Sequence, residues 1–170
     1  PPMDHHAKVI VTDTDHLWGV GGDRVWVWKS FMRGLNPIYM DPYGRPDQPK
    51  ADESARRAMG NTLTFAGMVN LAVMKPRPEL SSTAYCLAEE SREYLIYVPP
   101  VPESSQETPS GRAITVHLPE KKFSMKWFNP ETGERITMDF EARAGGNVFL
   151  VPYSGDAVLH LISADIRGTR

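Results

Sequence analysis

Lys8-Val9-Ile10-Val11-Thr12-Asp13-Thr14-Asp15-His16-Leu17-Trp18 is the stretch that decides the architecture. An apolar, β-branched run stops abruptly in two acids, a histidine and a tryptophan. Side chains alternate along a strand, so Val9, Val11, Asp13 and Asp15 share one face while Ile10, Thr12, Thr14 and His16 share the other. Gly19-Val20-Gly21-Gly22 then turns the chain into a helical pattern from Asp23 to Arg33. After Gly34 a second apolar run, Pro37-Ile38-Tyr39-Met40, also ends in an acid, Asp41. Strand, helix and strand, with polar chemistry where each strand stops, is how an α/β barrel presents its active site.

The first helix carries Val25, Trp26, Val27, Trp28, Phe31, Met32 and Leu35 on nearly all sides, which predicts deep burial. Asp23 sits where an N-cap belongs, its carboxylate facing the free amides and the positive end of the helix dipole. The glycine-rich turn matches neither the dinucleotide fingerprint nor the P-loop, and an acid stands where a phosphate would go, so phosphate binding is rejected.

A proline-rich loop from Asp41 to Pro49 leads to a second helical pattern, about Glu53 to Met74, closed by Lys75-Pro76-Arg77-Pro78. The texture then changes. Seven short runs follow: Thr83–Leu87, Glu93–Val98, Ala113–Leu118, Phe123–Phe128, Arg135–Glu141, Val148–Pro152 and Ala157–Ser163. Turn signals such as Asn129-Pro130-Glu131-Thr132-Gly133 and Ser154-Gly155-Asp156 separate several of them. This spacing predicts an antiparallel β-sandwich of about seven strands. Pro99 to Gly111, rich in Pro, Ser and Glu, reads as an exposed loop.

A chain of 170 residues with 41% hydrophobic content can bury a core, and its net charge of −2 gives no reason to expect nucleic acid. No apolar run reaches the roughly 18 residues of a membrane span, and the N-terminus lacks the basic and apolar regions of a signal peptide. Cys86 is the sole cysteine, which rules out an intrachain disulfide and suggests a buried, inert thiol. A complete eight-fold barrel takes roughly 250 residues, whereas residues 1–78 hold only two strand–helix units. The expected fold is therefore α/β followed by all-β: the last two βα units of a TIM-type barrel over residues 1–78, then the sandwich over 79–170.

Several clusters carry a family resemblance. Asp13-Thr14-Asp15-His16-Leu17-Trp18-Gly19, Gly21-Gly22-Asp23-Arg24, Trp26-Val27-Trp28-Lys29-Ser30-Phe31, Arg33-Gly34 and Asn36-Pro37-Ile38-Tyr39-Met40-Asp41-Pro42-Tyr43 resemble the end of the barrel in apiosidase-like glycoside hydrolases. Tyr85-Cys86-Leu87-Ala88, Glu93-Tyr94-Leu95-Ile96-Tyr97, Trp127-Phe128-Asn129-Pro130-Glu131-Thr132-Gly133 and Gly155-Asp156-Ala157-Val158-Leu159 resemble the small β-domain that follows it, labelled as the collagen-binding domain of a collagenase. The resemblance runs from Lys8 to about Ile162. It implies hydrolysis of a glycosidic bond between an acid on the fourth barrel strand and one on the seventh, which is the first strand here. That strand offers Asp13 and Asp15 where related barrels carry a glutamate, and the fourth-strand acid has no counterpart in this chain. An extracytoplasmic parent is implied too.

Glycoside hydrolysis needs two carboxyls, about 5 Å apart for retention and further for inversion. Asp15 is the candidate catalytic acid, and Asp13 a neighbour able to shift its pKa by like-charge repulsion. The plainer alternative is that both hydrogen-bond backbone amides in the turn. His16 could bind a sugar hydroxyl or pack behind the barrel, Trp18 could stack on a sugar ring or join the core, and Asp41 could line the same mouth or serve its Asp-Pro-Tyr-Gly turn. Asp13, Asp15 and His16 fit no calcium or zinc signature, so neither metal nor cofactor is expected. Expected partners are an oligo- or polysaccharide and the missing N-terminal part of a parent barrel. The competing reading is a non-catalytic module in which Trp127, Tyr94 or Tyr153 binds collagen or polysaccharide; packing is the favoured role for these aromatics, because nothing in the sequence clusters as a surface patch would.

Overall fold

The β-branched run ahead of the acids forms strand β1 (Val11–Asp13) in the computed structural model, which describes residues 2–4, 8–13, 22–39, 49–101 and 111–166. The chain divides into two compact units, Pro1–Ala72 and Val73–Arg170. It is mostly β-sheet, with two α-helices among the described residues.

In the first unit β1 is followed by helix α1 (Arg24–Met32), strand β2 (Asn36–Ile38) and helix α2 (Pro49–Met68). The two strands pair in parallel, with Val11 beside Asn36, Thr12 beside Pro37 and Asp13 beside Ile38. Asp23 caps α1 as its position predicts: its Oδ1 accepts the Trp26 amide at 2.7 Å. At the other end Gly34, at φ 78°, takes the left-handed turn that lets its own amide reach the Phe31 carbonyl at 3.0 Å. Val27, Trp28, Phe31 and Met32 of α1 are buried, as are Ala55, Ala58 and Phe65 of α2. The Trp28 and Phe65 rings meet edge-on, centroids 5.6 Å apart, so the α1–α2 packing centres on an aromatic pair.

Helix α2 ends earlier than its apolar spacing predicts. The Val69 amide still bonds to the Phe65 carbonyl, but the Asn70 side chain then captures the Ala72 amide at 3.2 Å. A local side-chain acceptor competes with the helix ladder, and a turn follows.

Among the described residues the second unit holds eight strands: β3 (Lys75–Pro76), β4 (Cys86–Glu89), β5 (Glu93–Val98), β6 (Ala113–Leu118), β7 (Lys121–Phe128), β8 (Arg135–Ala142), β9 (Gly145–Leu150) and β10 (Ala157–Ser163). The additional one, β3, lies at a sheet edge, where a proline costs no ladder bond. Six strands form one antiparallel sheet in the order β3-β4-β5-β10-β7-β8, and β6 and β9 form a second, two-stranded antiparallel sheet.

Their inner faces interdigitate in one core containing Tyr94, Ile96, Phe123, Trp127, Leu159 and Leu161 from the large sheet and Ile114, Val116 and Phe149 from the small one. The large sheet is buried on its other face as well, at Leu87, Leu95, Tyr97, Phe128 and Val158. Burial on both faces explains why β5 and β10 read as near-continuous apolar runs, while edge strand β8 alternates. The Asn129–Gly133 signal is a turn: Asn129 Oδ1 accepts the Glu131 and Thr132 amides, and Gly133 sits at φ 79°.

Candidate functional site

Parallel pairing places the carboxyl ends of β1 and β2 side by side, so Asp13 and Ile38 are neighbours on one face. Val11 shares that face and is 57% exposed, Ile38 is 39% exposed, and Val9, two residues upstream of Val11, is 83% exposed. The opposite face, with Thr12 and Pro37, is half-buried. The face carrying the candidate acid thus exposes Val9, Val11 and Ile38 beside Asn36, with half-buried Asp13 at its carboxyl end.

Asp13 is the one predicted site residue the structure describes. Asp15, His16, Trp18 and Asp41 lie outside the described residues, so no geometry among the five can be drawn. Beside the end of β2, the Arg56 guanidinium lies over the Tyr39 ring, 4.9 Å from its centroid. Such a pair ties Tyr39 to helix α2.

The second unit brings together polar groups that the sequence did not single out. His160 Nε2 lies 2.8 Å from Glu93 Oε1 on the neighbouring strand, and the side chains are only 2% and 3% exposed. The Tyr97 hydroxyl donates to Asp156 Oδ2 at 3.0 Å, both residues fully buried. Catalysis needs an acid or base that substrate can touch, and nothing this enclosed meets that need; these pairs satisfy buried polar groups. The signals were present, a histidine inside the apolar run Ala157–Ser163 and a glutamate opening Glu93–Val98, but only the β5–β10 register brings them together.

The other candidates resolve as structure. Burial pushes the Cys86 thiol up to about 12, which leaves it unreactive. Trp127, Tyr94 and Tyr153 are 3%, 2% and 8% exposed and sit in the core between the two sheets, where packing is their role. Burial also raises the Tyr94 and Tyr153 hydroxyls, with Glu134 adding to the effect at Tyr153. Trp127 and Phe128 occupy opposite faces as alternation requires, and Phe128 is itself buried, with the Arg135 guanidinium over its ring at 5.4 Å. Among the described residues no three His, Cys, Asp or Glu side chains gather as a metal ion would need, and no helix is long and apolar enough to cross a membrane.

No protein-family model matches the chain, and no curated protein does. Solved structures do. One described as a glycoside hydrolase superposes with a TM-score of 0.59 at 12% identity, covering 86% of this chain and 38% of its own. A glycoside hydrolase family 5 protein from Bacteroides vulgatus ATCC 8482 superposes with a TM-score of 0.54 at 14% identity, covering 84% of this chain and 35% of its own. The chain therefore has a glycoside-hydrolase-like fold, and spans little more than a third of the length of these two proteins.

Proposed function

We propose that this chain is the carboxyl-terminal part of a carbohydrate-active enzyme that hydrolyses glycosidic bonds. The first unit, Pro1–Ala72, supplies the last two βα units of its barrel, and the second, Val73–Arg170, an accessory β-sandwich that buttresses it. The observation that carries this reading is the parallel β1–β2 pair, with its bare apolar face ending at Asp13. In a closed barrel that face is the interior, and the carboxyl ends of the strands form the catalytic mouth. The likeness to glycoside hydrolases over 86% of the chain supports the same assignment. The apiosidase-like class rests on the Asp13–Gly19 and Asn36–Tyr43 resemblance.

In this reading Asp15 is the seventh-strand catalytic carboxyl, Asp13 tunes it, and His16, Trp18 and Asp41 meet the sugar. A carboxyl on the fourth strand, from the missing part of the barrel, completes the pair, so the 170 residues alone are inactive. The parent acts outside the cytoplasm on an oligo- or polysaccharide. The sandwich serves as support rather than as a collagen-binding surface, because the aromatics a binding face would use are in its core.

The test is hydrolysis of aryl glycosides by the full-length parent and its Asp15→Asn variant. Loss of about 10²–10⁴-fold in kcat/KM is expected for a catalytic carboxyl. Unchanged activity removes Asp15 from the mechanism, and turnover by the 170-residue chain alone removes the need for a distant partner.

A further inference from the structure

The sandwich is lopsided: a sheet of six strands is faced by a sheet of two. One edge of the small sheet is engaged, since Thr115 on β6 accepts the Ser82 amide through its carbonyl and donates its own amide to Ser82 Oγ. The opposite edge belongs to β9. Val151 donates to the Arg112 carbonyl, so every second residue of β9 bonds to β6 and the alternate ones, Gly146, Val148 and Leu150, turn their amides and carbonyls outward. Among the described residues nothing pairs with that edge. Val148 and Leu150 are 66% and 71% exposed, and β8 beneath leaves Met138 47% exposed. Phe140 of β8 touches Phe149 of β9, ring centroids 4.7 Å apart, which places the open edge on the β8 side of the sandwich.

From this we infer that β9 is an interface between two copies of the chain, pairing edge to edge and antiparallel about a two-fold axis at Val148. Natural sheets blunt a free edge with lysine, proline or a bulge, yet Ala144 to Val151 contains no charge and no proline. Self-pairing therefore brings no like charges together. The register is complementary: Val148 faces its own copy, and each Leu150 lies across from Gly146 of the partner. A Cβ on Gly146 would crowd Thr115 Cγ2 at 3.1 Å, so the bare backbone of a glycine suits this position best. Leucine thus covers exposed backbone, and the joined small sheets extend over Met138. A six-residue edge is short, so the dimer belongs to the weak class of interfaces, below about 1,200 Å². The inference stands apart from the glycosidase reading, being built on the second unit alone.

Sedimentation velocity on the 170-residue chain, up to hundreds of micromolar, tests it. Expected is a reversible monomer–dimer equilibrium whose Kd rises roughly tenfold or more in Val148→Lys, where two ammonium groups meet at the axis. Val11→Lys, on the bare face of the first unit, should leave it unchanged. Val148→Cys is the milder second probe: a short bismaleimide should join two chains through that position, with buried Cys86 silent. A monomer at every concentration overturns the inference. So does a dimer indifferent to Val148→Lys, one lost only in Val11→Lys, absence of the Val148→Cys cross-link, or an edge that stays monomeric yet captures an added extended apolar peptide.

Discussion

Removing His160 should cost the second unit far more than removing His160 and Glu93 together. The pair bridges β5 and β10, neighbouring strands within the six-stranded sheet, at 2.8 Å with almost no exposure. His160→Leu leaves the Glu93 carboxyl buried without that partner. Breaking a buried pair on one side costs about 3–5 kcal/mol when the stranded group stays charged, and about 1–3 kcal/mol when it becomes neutral. For a unit of about 100 residues each kcal/mol lowers Tm by roughly 4–8 °C, so a loss of at least several degrees is expected. Replacing both residues by leucine fills the space with apolar volume and removes both halves of this ion pair at once, an exchange that is often near neutral or stabilising. The double variant should therefore unfold at higher denaturant than either single one. Urea titration followed by far-UV circular dichroism reads the midpoints, and the four-way cycle isolates the coupling. Single variants within about 0.5 kcal/mol of wild type, or strictly additive effects, would refute the reasoning.

Cys86, with its thiol near 12, holds about one part in ten thousand as thiolate at pH 8, against roughly one in ten for a thiol at the ordinary value of 9.0. Alkylation should accordingly track unfolding, and rapid stoichiometric labelling of native protein would contradict its burial. Asp23→Ala removes the acceptor of the Trp26 amide and should cost about 1 kcal/mol, read as a lower thermal midpoint in the helical signal, with Asp23→Asn restoring most of it.

How much of this was legible in the sequence depended on the range of the interaction. β5, β6 and β10 run exactly over the stretches their apolar pattern marks, because alternation and turn residues act within a few positions. The Asp23 cap is local too. Sheet order is not: nothing in Ala157–Ser163 says that it inserts between β5 and β7, and so nothing announces that His160 meets Glu93. Helix α2 misled because its apolar spacing continues past Met68, whereas the Asn70 side chain settles its end by a single hydrogen bond. Among the candidate acids, alternation put Asp13 on the face of Val11, where the β1–β2 pairing leaves it.

That face also carries the physical case for a larger barrel. Parallel sheets occur almost only where both faces are covered, and two strands alone are marginal in water. Here α1 and α2 bury Trp28, Phe31 and Phe65 in a well-packed layer, while Val9, Val11 and Ile38 stay 83%, 57% and 39% exposed. Surface selection does not put β-branched residues on an exposed parallel pair; an interior does. The second unit makes the contrast, since its large sheet is buried on both faces. The same logic locates the chemistry. A carboxylate at the end of an apolar face becomes a poised acid only when neighbouring strands close around it and exclude water. Asp13 stands at that position. In the proposed enzyme, coverage of Val9 and Val11 and activation of the acids are one event, so a variant that blocks closure, such as Val11→Lys in the full-length parent, should abolish hydrolysis of aryl glycosides and barrel assembly together.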